Sequence, residues 1–232
     1  MSSSATNLVV FDWNGTLLAD TNACINATNV VLERLGLSPV SRRRYQDLYT
    51  MPLDKFYENL GVDEDLLAVH EATIHPLWHD VYSAAPIRLR RGARDALRAI
   101  KRAPCKTVVL SNYLVDKIER QARQFGIADH FDDILAFTPL DDLYRRAGKG
   151  PRLKNYLTAS PVRRSIIVGD TEEEIAIGKK LGMTTVSITD GTCSRARLKA
   201  AGPDFLIASL NELTSIVDEL FDNSSISRGG RA

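Results

Sequence analysis

The sequence predicts an α/β fold, in which a parallel β-sheet is flanked by helices and one helical insertion follows the first strand. Three observations lead to this prediction. Short apolar segments alternate with longer segments of helical periodicity, which is typical of a parallel sheet. Polar residues directly follow several apolar segments, at the edge where open parallel sheets bind ligands. Between the first and second apolar segments, residues 17–90 carry helical patterns without a clear strand.

Six short segments have the apolar and β-branched character of buried strands. In chain order they are residues 8–11, 107–110, 134–137, 165–168, 184–188 and 205–207. Apolar residues at helical spacing predict three helices in the insertion. These helices are residues 23–35, 53–60 and 66–82.

These elements divide the chain into three parts. Residues 1–17 and 91–222 are predicted to form the α/β core, and residues 18–90 the helical insertion. Residues 223–232, with the sequence NSSISRGGRA, are expected to be a disordered tail because they contain few apolar side chains.

Composition limits the classes of partner. The 232 residues carry a formal net charge of +1, which gives no reason to expect nucleic acid or a membrane as a partner. Cys24, Cys105 and Cys193 are scattered without metal-like spacing, which favours a reducing compartment. No segment has the pattern of a signal peptide or the length of a membrane span. We therefore expect a cytoplasmic protein, and the sequence does not predict its oligomeric state.

Polar residues follow three of the predicted strands. Asp12 comes after LVVF, Ser111 after TVVL, and Gly169 with Asp170 after SIIV. Lys149 lies in the connection between the third and fourth strands. Because the carboxyl ends of parallel strands meet at one edge, we expect these side chains to converge there.

This set of side chains suits phosphoryl transfer. A pair of carboxylates suits Mg2+, which prefers oxygen ligands. A lysine, a hydroxyl and the backbone N–H groups of residues 13–16 can bind the oxygens of a phosphoryl group. An aspartate beside the cation can attack phosphorus and form an aspartyl-phosphate. The sequence thus predicts a metal-assisted phosphoryl-transfer site.

These motifs resemble those of the haloacid dehalogenase superfamily of aspartate-nucleophile hydrolases, and the resemblance covers nearly the whole chain. DWNGT at residues 12–16 corresponds to the first motif, Ser111-Asn112 to the second, Lys149 to the third and GDTEEE at residues 169–174 to the fourth. Lys154 is a rival for the third motif, but it leaves little room for a helix before the fourth. The resemblance implies a Rossmann-like core, with an insertion similar to the helical cap of phosphoglycolate-phosphatase-like members.

The resemblance also implies a role for each matching residue. Asp12 would be the nucleophile, and Lys149 would restrain it while binding phosphoryl oxygens. Glu174 stands where the family usually has a second aspartate, and it would reach the metal through water. The implied catalytic residues are Asp12, Asn14 and Lys149. The implied phosphate-binding residues are Trp13, Ser111, Asn112 and Lys149, and the implied Mg2+ ligands are Asp12, Asn14, Asp170 and Glu174.

Asn14 departs from the family pattern, which usually has an aspartate that serves as general acid and base. An asparagine keeps the backbone carbonyl that would contact Mg2+, but its amide does not transfer protons. General acid–base catalysis contributes about 10²–10⁴-fold. The loss should be greatest for alkoxide leaving groups and smallest for leaving groups that need no proton.

Three functions are compatible with this sequence. The first is a Mg2+-dependent phosphatase that acts on a small phosphorylated metabolite. The second is a phosphonate hydrolase resembling phosphonoacetaldehyde hydrolases, with Lys55 as the Schiff-base lysine. The third is a catalytically idle member that binds a metabolite or a protein, which Asn14 alone suggests. Specificity in the first two cases is expected to depend on the insertion around residues 49–55.

Three further patterns have structural interpretations. His75 and His79 have the spacing of a metal pair, but Pro76 lies between them, so they are interpreted as surface or interface residues. The arginines of residues 88–103 are interpreted as the solvated face of helices. Ser111 is also a candidate N-cap for a helix that begins at residue 112 or 113.

Overall fold

The computed structural model describes residues 6–102, 104–138 and 148–221. The described strands form one six-stranded parallel sheet in the order β3-β2-β1-β4-β5-β6. They are β1 Thr6–Phe11, β2 Cys105–Leu114, β3 Asp133–Phe137, β4 Val162–Gly169, β5 Thr184–Ile188 and β6 Phe205–Ile207. The predicted α/β class with a Rossmann-like sheet is confirmed, and each predicted strand is present. The predicted tail at 223–232 lies outside the described residues.

The first strand lies at the centre of the sheet, between β2 and β4. Its residues Leu8, Val9, Val10 and Phe11 are completely buried. Val9 and Phe11 pack into one apolar cluster, and Leu8 and Val10 pack into another. This burial of both faces is why the strand reads as a continuous apolar run. Its carboxyl end places the next residue at the middle of the sheet edge.

Helices cover both faces of the sheet and also form the insertion. The described helices are α1 Thr21–Arg34, α2 Arg42–Leu48, α3 Leu53–Asn59, α4 Glu64–Ala84, α5 Ala93–Arg102, α6 Val115–Gln124, α7 Lys149–Ala159, α8 Glu172–Leu181, α9 Arg195–Ala201 and α10 Asn211–Phe221. We call α1–α4, which lie between β1 and β2 in the chain, the inserted helices. The sequence predicted α1, α3 and α4. It missed α2 because this short helix buries one side chain, Tyr45.

Two linkers join the inserted helices to the sheet, and they run side by side. The Ala19 N–H donates to the Arg88 carbonyl at 2.9 Å, and the Arg90 N–H donates to the Leu17 carbonyl at 2.9 Å. The division of the chain at residues 17 and 91 stays a prediction. Within the described ranges, none of the helices combines the length and apolar character needed to cross a membrane.

The second strand is longer than predicted, and this changes the interpretation of Ser111. It continues to Leu114, and α6 begins at Val115, so Ser111 does not cap a helix that starts at residue 112 or 113. Its hydroxyl instead accepts a hydrogen bond from the Tyr113 N–H at 3.1 Å. The pairing register with β3 shifts between Leu110 and Leu114. This irregularity places Ser111 at the sheet edge rather than in the regular strand ladder.

Candidate active site

The centre of the site is a buried ion-pair cluster. Asp12 follows β1, and its backbone N–H donates to the Val168 carbonyl at 2.9 Å. The Nζ atom of Lys149 lies 2.6 Å from Asp12 Oδ1 and 2.5 Å from Glu174 Oε1. The structure thus brings together the predicted nucleophile and the predicted lysine. Lys154, the rival lysine, lies on the exposed side of the same helix.

Both carboxylate oxygens of Glu174 have hydrogen-bond partners within the protein. One carboxylate oxygen accepts from Lys149, and the other accepts from the Thr171 hydroxyl at 2.5 Å and the Thr171 N–H at 3.2 Å. The contact with the Thr171 N–H is part of a capping box, which fixes the first turn of α8. Since both oxygens of Glu174 have partners, the geometry favours a role in orienting Lys149. Its contact with a metal stays a prediction.

The second predicted metal ligand, Asp170, shares a hydroxyl with the nucleophile. The Thr16 hydroxyl lies 2.9 Å from Asp12 Oδ2 and 3.1 Å from Asp170 Oδ1. Asp170 Oδ2 accepts from the Thr192 N–H at 2.5 Å. Sequence reasoning did not select Thr16 or Thr192, although Thr16 stands inside the DWNGT motif. The motif therefore supplies a side chain that aligns the two carboxylates.

The balance of charge in this cluster fits a divalent cation. Burial raises the pKa of Asp12 well above its usual value, Glu174 and Asp170 add to the rise, and Lys149 opposes it. Burial alone would lower the pKa of Lys149, but Asp12 and Glu174 more than offset this effect, and its pKa is raised. Asp12, Asp170 and Glu174 are all buried, with Lys149 acting on Asp12 and Arg90 acting on Asp170. An additional positive charge would stabilise their ionised forms.

Asp12 and Asp170 offer carboxylate oxygens, which are the type of ligand that Mg2+ prefers. In the described part of the chain, no group of three or more His, Cys, Asp or Glu side chains is arranged to hold a metal ion. Mg2+ needs fewer protein ligands, since it is commonly held by one or two carboxylates with waters. Asp12 and Asp170, joined through Thr16, are the side chains that would hold it, together with the Asn14 carbonyl.

The Asn14 side chain is held in a polar cluster that sequence reasoning missed. Its Nδ2 donates to Asp20 Oδ2 and to the Tyr82 hydroxyl, both at 2.7 Å. The Tyr82 hydroxyl donates to Asp20 Oδ2 at 2.6 Å, and the Gly15 N–H donates to Asp20 Oδ1 at 2.7 Å. Asp20 is 1% exposed, and burial raises its pKa. An amide suits position 14 because it donates to Asp20, whereas a carboxylate would repel it.

Arg90 corrects the interpretation of the arginine-rich segment. It is 9% exposed, and its guanidinium donates to the Gly15 carbonyl and, at 3.0 Å, to the Thr189 carbonyl. Burial lowers its pKa, with Asp170 acting against this effect. Arg90 thus supports the loop that follows Asp12. No local signal in the sequence indicates this role, because both carbonyls are far from Arg90 along the chain.

The predicted phosphate-binding residues Trp13, Ser111 and Asn112 differ from one another in their surroundings. The Trp13 ring is completely buried and donates through Nε1 to Gln121 Oε1 at 2.8 Å, so phosphate binding by Trp13 stays a prediction for its backbone N–H alone. Ser111 lines the cavity above Asp12. The Asn112 amide also lines this cavity, and it donates to Glu173 Oε2 at 3.0 Å.

Lys55 does not have the position expected of a Schiff-base lysine. Its Nζ lies 2.6 Å from Glu58 Oε2, and its side chain is 61% exposed. Its neighbours Leu53 and Asp54 line the cavity, but Lys55 does not. The described geometry therefore does not favour the phosphonate-hydrolase alternative.

Replacing Gly15 by alanine should damage the cluster directly. Gly15 has φ of 73°, and a Cβ added there would lie 2.1 Å from Asp170 Oδ2. We expect the free energy of unfolding to fall by about 2–4 kcal/mol, from the left-handed backbone and the steric overlap together. Chemical denaturation measures this loss. Gly36 is a matched control, since its φ is 75° and a Cβ would meet no atom within 4 Å. Equal losses for Gly15→Ala and Gly36→Ala would contradict the predicted overlap.

Comparison with known proteins agrees with this geometry. The family model described as haloacid dehalogenase-like hydrolase matches residues 9–188. The chain belongs to this family. The predicted family and the predicted hydrolase class are therefore confirmed.

Relatives of known name and structure extend over nearly the whole chain. A phosphoglycolate phosphatase of Vibrio parahaemolyticus is 24% identical, covering 94% of this chain and 98% of its own. A pyrophosphatase of Halalkalibacterium halodurans is 21% identical, covering 91% of this chain and 96% of its own. The crystal structure of a predicted phosphatase from Clostridium acetobutylicum superposes with a TM-score of 0.77 at 21% identity, covering 93% of this chain and 100% of its own. The structural likeness confirms the fold.

Proposed function

We propose that this protein is a Mg2+-dependent phosphatase that hydrolyses a small phosphorylated metabolite through an aspartyl-phosphate on Asp12. One observation carries the proposal. Asp12 lies buried at the end of the central strand, with Lys149 on one carboxylate oxygen and the hydroxyl shared with Asp170 on the other. This arrangement restrains a nucleophile and leaves the adjacent cavity to receive a phosphoryl group.

The side chains divide the chemistry between them. Asp12 attacks phosphorus and expels the leaving group, and water then attacks the phosphorus of the aspartyl-phosphate to release phosphate. Lys149 and Ser111 bind the phosphoryl oxygens, and Glu174 keeps Lys149 in place. When bound, Mg2+ neutralises charge on the phosphoryl oxygens and on the carboxylates. The Asn14 amide supplies no proton, so the leaving group departs as an anion or takes a proton from solvent.

The relatives support this class of substrate. The two curated relatives are named as a phosphoglycolate phosphatase and a pyrophosphatase, and both names denote the hydrolysis of small phosphorylated compounds. Cys24, Cys105 and Cys193 are free thiols, which supports the cytoplasmic location that we include in the proposal. The net charge of +1 favours neither nucleic acid nor an anionic membrane.

The idle-protein alternative rests on Asn14 alone, and the rest of the site opposes it. Asp12, Ser111, Lys149 and Asp170 are retained and buried. A buried lysine between two carboxylates is strongly destabilised when either partner is lost. A protein that only binds a ligand has no need of such a costly cluster. The structure therefore favours catalysis.

The test is a turnover assay with acyl, aryl and alkyl phosphates, run with Mg2+ and with EDTA. We expect Mg2+-dependent release of phosphate, reduced at least about a thousandfold by Asp12→Asn because the nucleophile is lost. Asp95→Asn is the matched control, since the Asp95 side chain is 76% exposed on α5. Full activity of Asp12→Asn would overturn the proposal. So would a folded parent protein that hydrolyses none of the acyl, aryl and alkyl phosphates.

A further inference from the structure

A large cavity lies between the sheet edge and the inserted helices. Its volume is about 600 Å3, and Asp12, Ser111 and Lys149 line it on the core side. This volume is within the range of pockets that bind drug-sized ligands, about 300–1,000 Å3. A phosphoryl group with a two-carbon leaving group would leave most of it unfilled.

The walls of the cavity are rich in aromatic side chains. Among the lining rings are Tyr45, Tyr49, Phe56, Tyr57, Trp78 and Tyr113. The Phe56 ring centroid lies 5.1 Å from that of Tyr49 and 5.2 Å from that of Tyr45. Such offset and edge-on arrangements leave ring faces and edges that can pack against another aromatic ring.

The aromatic wall reaches the phosphoryl site through Tyr113, which lines the cavity and whose N–H donates to the Ser111 hydroxyl at 3.1 Å. Behind this wall, the completely buried Tyr82 ring stacks on Trp78 with centroids 4.9 Å apart, and it packs edge-on to Tyr113 at 5.6 Å. The Tyr82 hydroxyl lies 2.7 Å from Asn14 Nδ2. The ring of an aryl ester whose phosphoryl group lies at Asp12 would therefore be placed beside these aromatic side chains.

The described walls of the cavity provide no unpaired lysine or arginine side chain for a second anionic group of the substrate. Among the described residues that line it, the lysine and arginine side chains are Lys149 and Arg197. Lys149 pairs with Asp12 and Glu174. Arg197 pairs with Glu172 at 2.5 Å and donates to the Tyr49 carbonyl at 2.6 Å.

The remaining ionisable groups on the wall also disfavour a second anion. Burial lowers the pKa of His75 and of His79, so both are mainly neutral near pH 7. Asp54, Glu172 and Glu173 line the same cavity. A carboxylate or a second phosphate on the substrate would face these carboxylates without a free cation from the described walls.

The leaving group can be inferred from Asn14. A phenol has a pKa of about 10, far below that of an aliphatic alcohol, so phenolate leaves without protonation more readily than an alkoxide. An amide at position 14 therefore reduces the rate of hydrolysis only slightly for an aryl ester and strongly for an alkyl ester.

We propose that the substrate is an aryl phosphate monoester, with its phosphoryl group on Asp12 and its ring within the aromatic cavity; this rests on the proposed phosphatase function. The Asp12 oxygen forms a bond to phosphorus while the bond from phosphorus to the aryl oxygen breaks, and phenolate leaves with the electron pair. Water then attacks phosphorus and breaks its bond to Asp12. One proton of that water passes through solvent to the phenolate, and the phosphate keeps the other.

Binding and turnover test this assignment separately. With Mg2+ present, calorimetry compares benzylphosphonate, which carries a ring, with phosphonoacetate, which carries a second anion; neither has a hydrolysable ester. We expect benzylphosphonate to bind at least about tenfold more tightly. In turnover, phenyl phosphate should exceed phosphoglycolate and pyrophosphate in kcat/KM by at least about a hundredfold. Benzyl phosphate should match phenyl phosphate in KM and fall about a hundredfold lower in kcat, since its alkoxide needs a proton.

A variant on the cavity wall separates ring recognition from general damage. Tyr49→Leu removes the ring while keeping apolar volume, and it should weaken benzylphosphonate at least about tenfold relative to phosphonoacetate. Tyr156→Leu is the control, because Tyr156 bonds to Asp133 outside the cavity, and it should leave the ratio unchanged. An equal loss for both ligands in Tyr49→Leu would overturn the assignment.

Failure of this inference differs from failure of the proposed function. Hydrolysis that favours phosphoglycolate or pyrophosphate over phenyl phosphate would overturn the aryl assignment and leave the phosphatase proposal standing. Selective binding of benzylphosphonate without hydrolysis of any ester would support the aromatic site and overturn the phosphatase proposal.

Discussion

Replacing Lys149 by methionine is expected to reduce phosphatase activity at least about a hundredfold and to lower the free energy of unfolding by about 3–5 kcal/mol. Lys149 is buried between Asp12 and Glu174, at 2.6 and 2.5 Å. Methionine keeps the length of the side chain but leaves these carboxylates without their cation. Steady-state kinetics and chemical denaturation, measured in EDTA for stability, give the two quantities.

The pH dependence of this loss has a definite sign. Burial raises the pKa of Asp12, and removal of the lysine takes away the charge that opposes the rise. A carboxyl whose pKa is raised on folding favours the folded state at low pH, and this contribution is lost as the pH rises through the raised pKa. The destabilisation of Lys149→Met should therefore grow with pH and shrink on acidification.

Two controls make this prediction specific. Lys154→Met removes an exposed lysine from the same helix and should change stability by less than about 0.5 kcal/mol. Adding Glu174→Gln to Lys149→Met should recover part of the stability but none of the activity, since one unpaired carboxylate is removed and the phosphoryl ligand stays absent. A loss below about 1 kcal/mol in Lys149→Met would contradict the buried-pair account.

Exchanging the amide and the carboxylate of Asn14 and Asp20 is expected to increase turnover of alkyl phosphates by about 10²–10⁴-fold. In Asn14→Asp/Asp20→Asn, the carboxyl group moves to the position from which the family usually transfers a proton. The amide at position 20 can still partner the new carboxylate and the Tyr82 hydroxyl, which donates or accepts. Kinetics with an alkyl and an aryl phosphate measure the effect, and the aryl ester should change by less than about threefold.

The single substitution Asn14→Asp should behave differently from this exchange. It places two carboxylates at the 2.7 Å contact now made by Asn14 Nδ2 and Asp20 Oδ2. Two carboxylates so close do not both ionise in a buried site, so we expect a loss of about 1–3 kcal/mol in stability at neutral pH. A single variant as stable as the parent would contradict this account of the cluster, as would an exchange variant that folds and gains no alkyl phosphatase activity.

The sheet and the order of the site motifs could be predicted because their signals are local. Each strand is an apolar run, and Asp12 directly follows the central one. Parallel strands bring their carboxyl ends together, so the convergence of Asp12, Ser111 and Asp170 follows from topology. The helix α2 gave a weak signal, since it is short and buries one side chain.

The partners within the site could not be predicted, because they depend on contacts between distant parts of the chain. The arginine-rich segment predicted that Arg90 lies on a solvated helix face. Its side chain is instead buried and donates to the Gly15 carbonyl. Glu174 matched a metal-ligand position, yet its direction is set by Lys149 and its helix cap. The pairing of Asn14 with Asp20 and with Tyr82, 68 residues away, depends on how α4 packs over the loop.

In the proposed mechanism, Asp12 carries the phosphoryl group during turnover. The most direct measurement is an acid quench during turnover of phenyl phosphate with Mg2+, followed by borohydride reduction and mass spectrometry of the peptide that contains residue 12. Borohydride reduces an aspartyl-phosphate to homoserine, so we expect homoserine at position 12 and none in protein quenched without substrate. Homoserine at another aspartate, or steady turnover with residue 12 unmodified in every quenched sample, would contradict it.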